Sequence, residues 1–183
     1  MGKGEDTKRR IVDAAEEVVL RDGVSRLTLG AAALEAGLSK GGVLYHFASR
    51  DALVAAMVDR IIEEFDRDLA SALVDPGTPG AFTRAYLRST LSPGGADPSR
   101  DDRLGAALIA AIAAQPQLLA PLQQAFDRWQ AHIASDGIDP VRATTLRLAA
   151  DGLWLSELFG LASPTGQLRS ELADELERLV EGS

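Results

Sequence analysis

The sequence has no cysteine, which removes disulfides, thiolate metal sites and cysteine nucleophiles together. It has only two histidines, His46 and His132, too few for a histidine-rich metal centre, so neither a metal nor a cofactor is expected. No apolar run reaches the roughly 18 residues of a membrane span. The first residues also lack the apolar stretch of a signal peptide, and a cytoplasmic protein with no membrane contact is expected. Nucleophile-elbow, P-loop and dinucleotide-binding glycine patterns are all missing. The acidic side chains are scattered over faces expected to meet solvent, so no catalytic residue is assigned and the chain does not read as an enzyme. Lysine is scarce beside arginine, and alanine and glycine are frequent, a composition that suits a GC-rich bacterial genome.

What is present suits a folded chain with a good core: 183 residues, 46% hydrophobic and 25% charged. The net charge of -8 argues at first against a nucleic-acid partner. Its distribution softens that objection. Residues 1–50 hold eight Lys/Arg and seven Asp/Glu, a net of +1, and the remainder holds 11 and 20, a net of -9. A small basic patch at one end of an acidic protein still docks on phosphates.

Apolar residues recur every three and four positions, which predicts an all-α chain of about nine helices. The first spans about 6–22, with Ile11, Ala14, Ala15, Val18 and Val19 as its apolar stripe and Gly23 beyond its end. Thr28 caps a short second helix that ends at Gly37, and Ser39 caps a third of barely two turns. Ser49 caps a long fourth helix, in which Leu53, Met57, Ile61, Phe65, Leu69 and Leu73 follow at intervals of four. A breaker at Asp75–Gly80 precedes a fifth helix over about 81–91. A Gly/Pro-rich loop at Ser92–Pro98 leads to a sixth over about 100–115. Pro116 or Pro121 starts the seventh. Asp139-Pro140 opens the eighth, and the ninth covers about 165–181.

Residues 28–47 have the spacing of a helix-turn-helix. Two short helices meet at Gly37, where the turn needs positive φ. Ala33 is small enough to let them cross closely, and Leu38 can plug the corner. The second of them begins Ser39-Lys40-Gly41-Gly42. Two glycines there lower helix stability by roughly 1 kcal/mol each, which makes sense where backbone must approach DNA. A glycine corner of this kind also occurs in helical proteins that never meet DNA. The surrounding Lys40, Tyr45, His46 and Arg50 favour the DNA reading.

Those residues carry a resemblance. Arg10-Ile11-Val12-Asp13-Ala14-Ala15, Asp22-Gly23, Thr28, Ala33, Ala36-Gly37-Leu38-Ser39-Lys40-Gly41 and Tyr45-His46-Phe47-Ala48-Ser49-Arg50-Asp51-Ala52-Leu53 resemble the DNA-binding signature of the TetR (tetracycline-repressor) family, over about the first 55 residues. The resemblance implies a three-helix DNA-binding domain, here 1–50, and a helical ligand-binding and dimerisation domain, here 51–183. It also implies repression relieved by a small molecule. Two positions depart from the family pattern: Leu44 where a tyrosine is usual, and Ala32 where a larger aliphatic is frequent. The DNA-binding set carried over is Thr28, Ser39, Lys40, Gly41, Gly42, Tyr45, His46 and Arg50, with packing against the start of the fourth helix the other role open to His46. Lys8, Arg9 and Arg10 either reach an adjacent groove or backbone or form a solvated helix start.

In the second half, residues 146–161 are apolar almost all round and therefore need cover on several sides. Leu168, Leu172, Leu176 and Leu179 repeat along the ninth helix. Two such helices from each of two chains would form a four-helix bundle. The resemblance favours that homodimer, with Leu153, Leu168, Leu172 and Leu176 at its interface. Closing the monomer core is the other role open to them. Phe82, Tyr86, Leu108, Phe126, Trp129 and Trp154 are candidate walls of an effector cavity, with simple core packing the other role open to each, and an apolar lining suits a lipophilic or aromatic molecule of unknown identity. The expectation is a ligand-responsive regulator that binds double-stranded operator DNA, most simply a repressor. The alternative is a helical ligand-binding or interaction protein with a vestigial helix-turn-helix.

Overall fold

In the computed structural model, residues 2–91, 100–114 and 118–182 are described. The expected Ser92–Pro98 loop, a start at Pro116 and the end of the sixth helix at Gln115 lie outside them. Among the described residues there is no strand, and no helix is long and apolar enough to cross a membrane. The chain packs as two compact units, residues 1–62 with 100–123 and residues 63–99 with 124–183.

The first unit contains α1 (Lys3–Asp22), a 3₁₀ turn (Val24–Arg26), α2 (Leu29–Glu35), α3 (Lys40–His46), the start of α4 (Arg50–Ala72) and α6 (Arg100–Ala114). Its core follows the helical stripes. Ile11, Ala15, Val18 and Val19 of α1 are buried, as are Ala32 and Ala33 of α2, Val43 of α3 and Leu53, Val54, Met57 and Val58 of α4. One charged side chain is buried with them. Glu16 of α1 is 2% exposed and pairs with Arg60 of α4 at 3.3 Å and with Arg100 of α6 at 3.2 Å. A buried carboxylate is tolerated only when such partners replace its water, so this group ties three helices together.

The second unit contains the remainder of α4, α5 (Ala81–Thr90), most of α7 (Ala120–Ala134), α8 (Pro140–Phe159) and α9 (Gly166–Glu181). Leu87 of α5 and Leu91 just beyond its end pack with Leu146, Ala150 and Leu153 of α8 and with Leu176 and Val180 of α9. The turn before α8 organises α5. Asp136 accepts from the backbone N–H groups of Phe82 and Thr83, at 3.1 and 2.7 Å, and so caps α5 from a distant segment. Asp139 accepts from Arg142 N at 2.8 Å at the head of α8, with Pro140 as the first helical residue. Leu153 and Leu176 are therefore part of this unit's own core, which limits what either can offer a second chain.

Candidate functional site

The helix-turn-helix is built from local hydrogen bonds that the sequence specifies. The Thr28 hydroxyl accepts from Ala31 N at 3.0 Å, and the Ser39 hydroxyl accepts from Gly42 N at 3.0 Å. Between the two helices Gly37 adopts φ +63°. Its N–H donates to the Leu34 carbonyl, and Leu38 N–H donates to the Ala33 carbonyl, the paired closure of a Schellman turn. The Arg10 guanidinium sits over this end, donating to the Ala36 carbonyl from Nε at 2.9 Å and from Nη2 at 2.6 Å. A cation there meets the negative end of the α2 dipole. The Arg50 guanidinium donates to the Leu27 and Val24 carbonyls at 3.1 and 2.9 Å, which pins the start of α4 to the 3₁₀ turn. Both arginines thus hold protein carbonyls. Arg50 and Arg10, read from the sequence as groups near the DNA, also have partners within the protein.

Buried Val43 and Phe47 fix the rotation of α3. Thr28, Ser39, Lys40, Gly41 and Tyr45 are exposed, while Gly42 and His46 are half-buried. The Tyr45 and His46 rings meet edge to face at 5.1 Å. A Cβ at Gly41 or Gly42 would meet nothing nearer than the Ser39 hydroxyl, at 3.9 and 3.4 Å, so packing within the chain does not require glycine at either place.

In the second unit Phe65, Tyr86, Phe126 and Trp129 form one aromatic cluster, with ring centroids 4.7–6.1 Å apart. Their polar handles end on carboxylates. The Trp129 indole donates to Asp66 at 2.7 Å, and the Tyr86 hydroxyl donates to Asp151 at 2.8 Å. Arg147 pairs with Asp151 at 2.9 Å and lies over the Phe126 ring at 5.9 Å. Burial pushes the Asp151 carboxyl above the usual carboxylate range, against the opposing pull of Tyr86 and Arg147. Burial also raises the Tyr86 hydroxyl, with the Asp151 charge adding to it, so Tyr86 stays protonated and donates.

Beside the cluster lies a pocket of about 250 Å³ lined by Asp66, Leu69, Ala70, Leu73, Phe82, Arg128, Trp129 and His132. Phe82 and His132 stack at 4.9 Å in its wall. Of the six aromatic and aliphatic candidates read from sequence, Phe82 and Trp129 line this pocket. Tyr86 and Phe126 belong to the packed cluster, and Leu108 is buried in the first unit. Trp154 is half-buried and does not line the pocket. Sequence reading did not single out Asp66 or Arg128. Asp66 stands three, four and seven residues before the pocket residues Leu69, Ala70 and Leu73, and Arg128 four before His132, a helical spacing that was the available signal, but each looked like an ordinary surface charge.

Two family models match the chain. One is described as bacterial regulatory proteins, tetR family, over residues 11–57. The other is the tetracyclin repressor-like C-terminal domain, over residues 80–181, more than half of the chain. The chain belongs to the tetR family. The HTH-type transcriptional regulator TtgR of Pseudomonas putida is 34% identical over 64 residues, which are 35% of this chain and only 30% of TtgR. Among solved structures, the multidrug binding protein EbrR complexed with malachite green is 28% identical with a TM-score of 0.68, covering 94% of this chain and 96% of that one. A member of the TetR family from Streptomyces coelicolor A3, SCO1917, is 26% identical with a TM-score of 0.67, covering 93% and 98%.

This tetR-family chain also carries an exposed apolar face. Val141, Leu148, Leu155 and Phe159 of α8 are exposed, at the seven- and four-residue intervals of one helical stripe. Gly152 lies in the same stripe, and a Cβ there would meet nothing within 4 Å. Leu161, Leu168 and Leu179 add exposed apolar groups in the following turn and on α9, while Leu172 is partly buried against the core. Of the four interface leucines expected, Leu168 is the one exposed, at 63%.

Proposed function

We propose that the protein is a transcriptional repressor, a homodimer that holds double-stranded operator DNA through two copies of α3 and lets go when a small lipophilic or aromatic molecule occupies its second unit. The observation that carries this reading is the geometry of residues 28–50. Two capped short helices turn Ala32, Ala33 and Val43 inward and leave Lys40, Gly41, Leu44 and Tyr45 open, as a recognition helix must. Thr28 and Ser39 accept through their oxygens in capping, and each hydroxyl still has a proton to donate to a phosphate. Lys40 supplies positive charge for a phosphate or a guanine edge. Tyr45 and His46 lie against the sugar-phosphate backbone, and the glycines allow close approach. Arg50 positions α4.

The exposed α8 stripe supports pairing about a two-fold axis, which suits a palindromic operator with half-sites roughly 34–36 Å apart. The Phe82, Trp129 and His132 walls support an aromatic effector. Asp66 is paired with Arg128 at 3.2 Å, so a cationic one is favoured through the ring faces rather than through a free carboxylate. EbrR has been seen with malachite green and with ethidium, which makes both suitable probes. α4 contributes Arg50–Ile62 to the first unit and Glu63–Ala72, with Asp66, to the second. It is the element through which effector and operator would be coupled, reciprocally and by about 1–3 kcal/mol.

The test is an electrophoretic shift with DNA flanking the protein's own gene. Binding should fall steeply with salt, with a log–log slope near -0.9 per phosphate contacted, and malachite green should reverse it. Absence of binding to any such DNA, or salt-insensitive binding, would overturn the reading. Binding that malachite green and ethidium leave untouched would overturn the aromatic-cation effector alone.

A further inference from the structure

We propose that Leu44 is a specificity-determining residue and that it reads thymine methyl groups in the major groove. This rests on the reading of the first unit as operator-binding.

The rotation of α3 sets which side chains can reach a partner. Around buried Val43, residues 40, 41, 44 and 45 of α3 are exposed. With 3.6 residues per turn, 40 and 44 stack on one flank with 41 and 45 beside them, which makes one solvent-facing strip. Lys40 brings charge to this face, Gly41 brings no side chain, and the Tyr45 ring is set against His46. That leaves Leu44, 45% exposed, one turn beyond Lys40. Among the described residues of the first unit, the large hydrophobic side chains left exposed are Leu34, Leu44 and Tyr45, all within the helix-turn-helix. Leu44 and Tyr45 adjoin on α3, and apolar groups held together in solvent, instead of scattered singly, mark a contact surface.

The occupant follows from chemistry. In the major groove the base edges present hydrogen-bonding groups with one apolar exception, the C5-methyl of thymine. Leucine has no donor or acceptor and gains only from such a group. The open space at Gly41 and Gly42 lets the start of α3 descend into the groove, which carries the next turn, and Leu44 with it, toward the base edges. Leu34, 83% exposed, lies on α2, the helix that crosses the backbone in this motif, and so serves as the control.

The experiment uses the full chain to select duplexes from a random library. Thymines in an enriched half-site are then replaced by deoxyuridine, which keeps base pairing and removes only the methyl. Each contacted methyl should be worth about fourfold in affinity, the equivalent of burying one methylene. Leu44→Ala should bind the thymine and uracil duplexes equally, and Leu34→Ala should keep the wild-type discrimination. Leu44→Ala should remain folded by circular dichroism, because the site is exposed and alanine is the better helix former. A uracil duplex bound as tightly as the thymine one would overturn the proposal, as would discrimination that survives in Leu44→Ala. A library that yields no enriched sequence would instead overturn the operator-binding reading on which the proposal stands.

Discussion

The α8 stripe gives the sharpest test of assembly, because its leucines leave about half their surface uncovered by the unit that carries them. Leu148 is 55% exposed and Leu155 41%, so each has about half its side chain still to bury. Burying a whole leucine is worth about 1.5–3 kcal/mol, and half of that is about 1 kcal/mol. A two-fold interface contains every substitution twice, so Leu148→Ala should weaken the dimer by about 2 kcal/mol, or roughly thirtyfold in Kd. Leu148→Asp adds an unpaired carboxylate in each copy, at several kcal/mol apiece, and should raise Kd more than about a thousandfold. Sedimentation velocity over a concentration series reads this directly. Circular dichroism should show the Leu148→Asp monomer as helical as the parent. Leu176, 6% exposed in the unit's own core, provides the contrast: Leu176→Asp should lose the fold itself. A Leu148→Asp protein that dimerises at the parent's concentration would place the interface elsewhere and refute the reasoning.

Four further outcomes are expected. Asp136→Ala removes the acceptor for Phe82 N and Thr83 N and should destabilise the protein by about 0.5–2 kcal/mol in urea unfolding, with Asp136→Asn largely sparing it. Gly80 has φ +78°, and an added Cβ would lie 2.5 Å from Val180 Cγ1, so Gly80→Ala should lose about 2–4 kcal/mol from backbone strain and overpacking together. Arg10→Ala should lower stability by about 1.5–3 kcal/mol, the range for hydrogen bonds to a charged group, because its guanidinium serves the Ala36 carbonyl; unchanged urea unfolding would show that the contact is dispensable. Burial raises the Asp151 pKa, so the folded state keeps that proton to higher pH than the unfolded chain does. Its contribution to stability therefore falls as pH climbs out of the acid range, and the decline should be smaller in Asp151→Asn, read as urea midpoint against pH.

Local signals were legible in the sequence and long-range ones were not. Thr28, Ser39, Ser49 and Asp139 each act as the cap expected of them, and Gly37 takes the positive φ its turn demands. These choices are decided within four or five residues, where side-chain chemistry competes directly with the backbone. The 3₁₀ turn at Val24–Arg26 has no such marker. What holds it includes Arg50, more than 20 residues away, and no local pattern reports that.

The charged residues show the same limit most clearly. Glu16 lies among the polar positions of α1 and reads as a solvated acid, and Arg60 and Arg100 read as solvated bases. The fold brings the three together with Glu16 buried. Arg10 and Arg50 look like DNA-facing cations, yet their guanidiniums satisfy carbonyls at α2 and the 3₁₀ turn. The alternation of charge and apolarity shows which side of a helix turns outward. Whether an outward charge meets water, a carbonyl or a buried carboxylate depends on which other helix arrives there. In this chain α6 packs with the N-terminal helices although α5 and the segment after it intervene in sequence. The residues whose roles periodicity does not assign are therefore the ones on which helices distant in sequence converge, and Arg100 reaching Glu16 is the case in point.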